Sequence, residues 1–151
     1  MAKRYQLTVT EAQAAAIEWS CELAARLSIG QVHEILTQIA IPRLPAYSEE
    51  SETRIERAQL LLNETKSAIW PELALDASYS ISSPEVPDRA KDALDVMAQM
   101  RYVRLKECEA VYSSNIWSNP PTQVGSGPLP SVYPLDALAF AVNEAKKAHE
   151  K

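Results

Sequence analysis

Three glycines, two histidines, two cysteines and one phenylalanine are all that 151 residues hold of these types. Each scarcity removes a class of chemistry. Gly30, Gly125 and Gly127 form neither a P-loop nor a dinucleotide-binding turn, both of which need glycines spaced so that backbone can approach a phosphate. With only His33 and His149, no Cys–His cluster has metal-ligand spacing. "HEILT", from His33 to Thr37, begins like the H-E-x-x-H of zinc proteases, but Thr37 stands where the second ligand belongs. Cys21 and Cys108 are unpatterned, as in a reducing compartment, and both sit among apolar helix positions where thiols are usually buried and inert. No apolar run approaches the roughly 20 residues of a membrane helix. "MAKRYQLTVTEAQ" lacks the apolar core of a signal peptide. Acids such as Glu18, Glu22, Glu107 and Glu109 read as solvated surface, and nothing singles out a general acid and base. The expectation is a cytosolic, non-enzymatic chain that needs no cofactor or metal.

Alanine is plentiful, and ten prolines gather between periodic segments, which is the layout of helices joined by stiff loops. "YQLTVT" alternates and reads as a short strand or an extended lead-in. "TEAQ", Thr10 to Gln13, has capping-box spacing, and a helix follows to about Leu27. Its apolar residues fall on two sides, Trp19 and Leu23 on one and Ile17 and Cys21 on the other, which predicts a sandwiched helix. Ser28 offers a second cap for a short helix to about Ala40. Ser48 or Ser51 caps the next, whose inward stripe is Ile55, Ala58, Leu62, Thr65 and Ile69, and Trp70-Pro71 ends it. A further helix runs from Glu85 or Asp88 to about Tyr112. Residues 113–134 form a long proline-rich irregular segment with "GSG" as a flexible tip, and a last helix spans Leu135 to Ala148. Trp19 and Trp70 are the expected core anchors; Tyr79 and Trp117 are candidate contact residues. The fold class expected is mainly α: a single-domain bundle of four to five helices over 1–151.

On a wheel of 100° per residue, Ala90, Leu94, Met97 and Met100 gather on one side of the helix after Asp88, and Asp88, Asp92, Asp95 and Gln99 on the other. Arg101 and Arg104 break the pattern by projecting into the apolar stripe. A buried guanidinium needs a partner. Three explanations compete: an internal ion pair, a subunit interface in a homo-oligomer, or a site for a phosphate-bearing ligand. "DASYSISSPEVPDRAKDAL", Asp76 to Leu94, feeds this helix and brings Ser78 and Tyr79 with it. The helix start lies about 20 Å from Arg101 at 1.5 Å rise per residue. A joint site therefore requires the loop to fold back along the helix or a second subunit to close it. Arg54 and Arg57 flank the stripe of the preceding helix; they could join such a basic pocket, but read first as solvated charges pairing with Glu50 or Glu52.

The pieces "YQLTVTEAQ", "ELAARLSIGQVHEIL", "DASYSISSPEVPDRAKDALDVMAQMRY" and "SGPLPSV" resemble a family of small, largely uncharacterised proteins of tailed bacteriophages and prophages. In that group the turn before the long helix carries Asn and Gly where this chain has Asp76 and Ser80. The resemblance implies a role in the cytoplasm of an infected bacterium, with interference with host defence the expected activity. The concrete form is sequestration of a nucleotide-type immune signal (a cyclic nucleotide or an ADP-ribose derivative), with Arg101 or Arg104 on phosphate, Tyr79 stacked on the base and Ser78 a further ligand-binding candidate. The alternatives are an inhibitor docking on a host defence protein complex through an acidic surface, and a phage structural or assembly protein. A formal charge of −5 disfavours nucleic acid as partner.

Overall fold

A computed structural model describes residues 7–44, 48–107 and 120–133. It is mainly α, with no strand among the described residues. The helices are α1 (Glu11–Ser28), α2 (Glu49–Ile69) and α3 (Asp88–Glu107), with a π-helical turn at Leu36–Ala40 and a 3-10 turn at Ile41–Arg43 between the first two. The helix expected over 135–148, the end expected near Tyr112, and Trp117 lie outside the described residues.

Local signals set the helix ends. At α1 the Thr10 hydroxyl accepts from the Gln13 amide at 3.3 Å, and the Gln13 side chain accepts from the Thr10 amide at 2.9 Å, so the capping box is complete. The helix ends at Ser28, beside the expected Leu27, and only the second cap departs from expectation. Ser28 caps no following helix; its hydroxyl turns back to the Ala24 carbonyl at 2.8 Å. Gly30 ends α1 instead. Its amide reaches Leu27 O at 3.1 Å and the Gln31 amide reaches Arg26 O at 3.0 Å, the paired bonds of a Schellman ending. Gly30 has φ of 89°, and a Cβ there would stand 3.0 Å from Leu73 Cδ1. The next segment widens ahead of Pro42, which has no amide to donate and crowds the preceding carbonyls; Ile41 N bonds back five residues to Leu36 O. Ser48 caps α2 by accepting from the Ser51 amide at 3.1 Å, and Glu49, Glu50 and Glu52 face the positive helix end. Trp70 stops α2 ahead of Pro71.

α1 packs along α3. The buried apolar residues are Ala25 of α1, Val32 and Leu36 of the following turn, Val86 of the loop before α3, and Ala90, Met97 and Met100 of α3. The expected sandwiching of α1 is not observed: Ala12, Ala16 and Ala24 are exposed, and Trp19, expected in the core, is 42% exposed. The stripe on α2 is half covered, with Ile55, Ala58 and Leu62 partly buried but Thr65 and Ile69 in solvent. α2 packs against the turn at Leu36–Ala40. At its C-terminal end Lys66 is fully buried, its Nζ donating to Leu75 O at 2.9 Å and to Ala77 O. A charge at that depth is tolerable because backbone carbonyls replace water around it.

Asp95, expected on the solvent side of α3, is also buried. Its carboxylate accepts from Val124 N at 2.9 Å and from Gly125 N at 2.8 Å. The "GSG" segment is therefore docked rather than a free tip: Gly125 is buried, and a Cβ there would come within 2.9 Å of Asp95 Oδ2. Asp95→Ala leaves both amides without their acceptor. It is expected to lower the free energy of unfolding by about 1–3 kcal/mol in urea titration. Amide exchange at Val124 and Gly125 should accelerate in the same variant; unchanged exchange there contradicts the clasp.

Candidate functional site

Arg101 and Arg104 stand one turn apart on α3 and face Glu18 and Glu22, one turn apart on α1. Arg101 Nε donates to Glu18 Oε1 at 2.6 Å, and its Nη2 donates to Glu22 Oε2. Arg104 Nη1 donates to the other Glu18 oxygen at 2.7 Å. One carboxylate thus bridges both guanidiniums. The network continues along α1: Arg26 Nε donates to Glu22 Oε1 at 3.0 Å, and Arg26 Nη1 to Glu34 Oε1 and Gln31 Oε1, both at 3.1 Å. From Glu34 it reaches Gln38 at 3.4 Å, and Gln38 accepts from the Trp19 indole at 3.2 Å.

The internal ion pair, one of three explanations for the two arginines, is the one the geometry shows. Glu18 and Glu22, read from sequence as scattered surface acids, are its other half; the Glu18 side chain is only 12% exposed. Three carboxylates (Glu18, Glu22, Glu34) balance three guanidiniums (Arg26, Arg101, Arg104), so the cluster is neutral. A signal was available in the sequence. Glu18, Glu22 and Arg26 repeat every fourth residue along one line of α1, and Arg101 and Arg104 lie three apart on the misfit face of α3.

The loop candidates join this network at its edge. Ser78 is exposed and accepts from Gln31 Nε2 at 3.4 Å, which links it through Arg26 and Glu22 to Arg101. The Tyr79 amide bonds Ile29 O at 3.0 Å. The loop before α3 therefore runs back to the end of α1, short of Arg101 itself, whose carboxylate partners Glu18 and Glu22 lie farther up that helix. The Tyr79 ring is not committed to the arginines: its hydroxyl donates to Glu72, a bond that pushes the phenol up to about 12 and holds the Glu72 carboxyl below its ordinary value. Arg54 pairs with Glu50 of its own helix at 2.6 Å, the solvated arrangement expected.

Other chemistries find no support in this arrangement. No group of three metal-capable side chains occurs among the described residues, and none of their helices is long and apolar enough to cross a membrane. Burial pushes the Cys21 thiol up, away from the thiolate a nucleophile needs. Two buried nitrogens, His33 Nδ1 and Arg104 Nε, have no hydrogen-bond partner among the described residues. Comparison with family models, with curated proteins and with solved structures returns no match.

Burial by itself raises the Glu22 carboxyl, but hydrogen bonds and charge from Arg101 and Arg26 outweigh it and carry the group below its ordinary 4.5. A depressed folded value contributes stability that is complete above the unfolded value and is lost as pH falls through the folded one. The Glu22→Gln variant has no such titration. Its stability deficit against the unsubstituted protein, from urea midpoints at stepped pH, should be full at neutrality and shrink as pH falls below 4.5. A deficit independent of pH contradicts this account.

Proposed function

We propose that the chain is a non-enzymatic binding protein that acts by docking α2 against a partner protein. The observation that carries this reading is the openness of α2: only Ser51 and Lys66 are buried along its 21 residues. A helix of that length gains most of its stability from a covered face, and this one leaves Leu60, Leu61 and Ile69 in solvent. Glu49, Glu52 and Glu56 line one exposed flank, which suits a partner surface of opposite charge. With the resemblance to small proteins of tailed phages and prophages, the expected partner is a host defence complex, met in the cytoplasm of the infected bacterium.

A second reading, sequestration of a nucleotide-type signal, is favoured by one observation, the buried Arg104 Nε without an acceptor among the described residues. A phosphate arriving there competes with Glu18, which already holds Arg101 and Arg104. A protein whose arginines are neutralised from within has less to offer an anion than one whose arginines are free.

Thermal unfolding against cyclic nucleotides and ADP-ribose derivatives separates the two. The docking reading expects no shift from any of them. A shift of several degrees that Arg104→Ala abolishes replaces it with sequestration. Docking further expects that Glu52→Lys with Glu56→Lys weakens recovery of a host complex and flattens its dependence on salt.

A further inference from the structure

Leu60 and Leu61 stand side by side in the middle of α2, 63% and 55% exposed. At 100° per residue Arg57, Leu60, Leu61, Glu64 and Ala68 fall within an arc of about 100°. That arc lies opposite Ile55, which is half-buried, and Lys66, which is buried. The two charges bracket the leucines symmetrically, Arg57 three residues before Leu60 and Glu64 three residues after Leu61.

Neither charge has an opposite partner on its own helix. Ion pairs form along a helix at spacings of three or four. Arg57 has Thr53, Arg54, Leu60 and Leu61 at those positions, and Glu64 has Leu60, Leu61, Ser67 and Ala68. Arg54, by contrast, has Glu50 four residues back and pairs with it at 2.6 Å. Among the described residues neither Arg57 nor Glu64 makes an ion pair, and both are exposed.

From this pattern we infer that the occupant of the Leu60–Leu61 face is a second copy of the chain, packed antiparallel about a two-fold axis between the two leucines. The inference rests on the reading of α2 as a docking helix and names what covers one flank of it. Under that axis residues equally far from the leucine pair in opposite directions meet. Arg57 of one copy lies level with Glu64 of the other, and the same pair repeats across the axis, as an isologous interface demands. A parallel pair would set Arg57 against Arg57 and Glu64 against Glu64, so the charges select the antiparallel arrangement. Leu60 and Leu61 meet at the centre, where burial against a like surface removes them from water. Glu56, four residues before Leu60, borders the seam on that side, and Glu52 lies about 80° round from Leu60 on the same flank, which leaves that flank outside the paired arc.

Sedimentation equilibrium of the full chain tests the inference. The experiment extends to about 1 mM, because a single helix pair lies at the low end of interface sizes. A monomer–dimer equilibrium is expected, and Leu60→Asp with Leu61→Asp should abolish it while circular dichroism keeps its helical signal. Arg57→Glu alone and Glu64→Arg alone should each weaken the dimer about tenfold, since two attractions become repulsions. The double exchange, Arg57→Glu with Glu64→Arg, should restore it. Overturning results are a strictly monomeric protein, a dimer indifferent to these substitutions, or a monomer whose α2 amides resist exchange because another segment of the chain covers the face. A monomer that still loses a host complex on Leu61→Asp sinks the self-pairing alone and leaves the docking reading standing.

Discussion

Glu18 accepts from Arg101 with one carboxylate oxygen and from Arg104 with the other, and Glu22 takes the remaining arm of Arg101. This bridge fixes how α1 lies along α3. Apolar contact alone does so weakly, because among the described residues the fully buried ones are a single alanine on α1 and an alanine with two methionines on α3. Such side chains slide past one another at little cost, since alanine offers no shape and methionine adapts. Directional pairing of guanidinium with carboxylate holds at one register and fails one turn away. The cluster also sets what the protein offers to others. Three cations matched by three anions present no net field, so a bound anion would leave one carboxylate displaced and desolvated.

Two further buried charges obey the same rule with backbone as partner. Lys66 is met by the carbonyls of Leu75 and Ala77, and Asp95 by the amides of Val124 and Gly125. Each pins an irregular segment to a helix: the loop after α2 in the first case, residues 123–125 in the second. Each has a glycine close by where a side chain would collide, Gly30 against Leu73 beside Lys66 and Gly125 against Asp95. The Lys66 pin holds the C-terminal end of α2, while Leu60 and Leu61 in its middle stay exposed.

The parts legible in the sequence are those decided within a few residues. The Thr10–Gln13 box, the Ser48 cap, the acids of the first turn of α2 and the stop at Trp70-Pro71 are local chemistry, and each occurs where the spacing predicts it. The mainly α class follows from them. Burial was less legible because it depends on distant neighbours. Asp95 sits on the polar side of its own helix, and only a segment about thirty residues later makes that side an interior. Trp19 belongs to an apolar arc, but the partner facing it is Gln38, so the ring stays at the surface. The misfit of Arg101 and Arg104 was visible. Their acids left only the four-residue spacing of Glu18, Glu22 and Arg26, which occurs on any solvated helix until the approach of α3 gives it a role.

The account turns on whether Glu18 and Arg101 hold each other. A double-mutant cycle of Glu18→Gln and Arg101→Gln, read by chemical unfolding, measures that directly. The account predicts non-additive losses, with a coupling free energy of about 1–3 kcal/mol. Additivity within about 0.5 kcal/mol would contradict it, because Glu18 and Arg101 would then contribute independently and not as a pair.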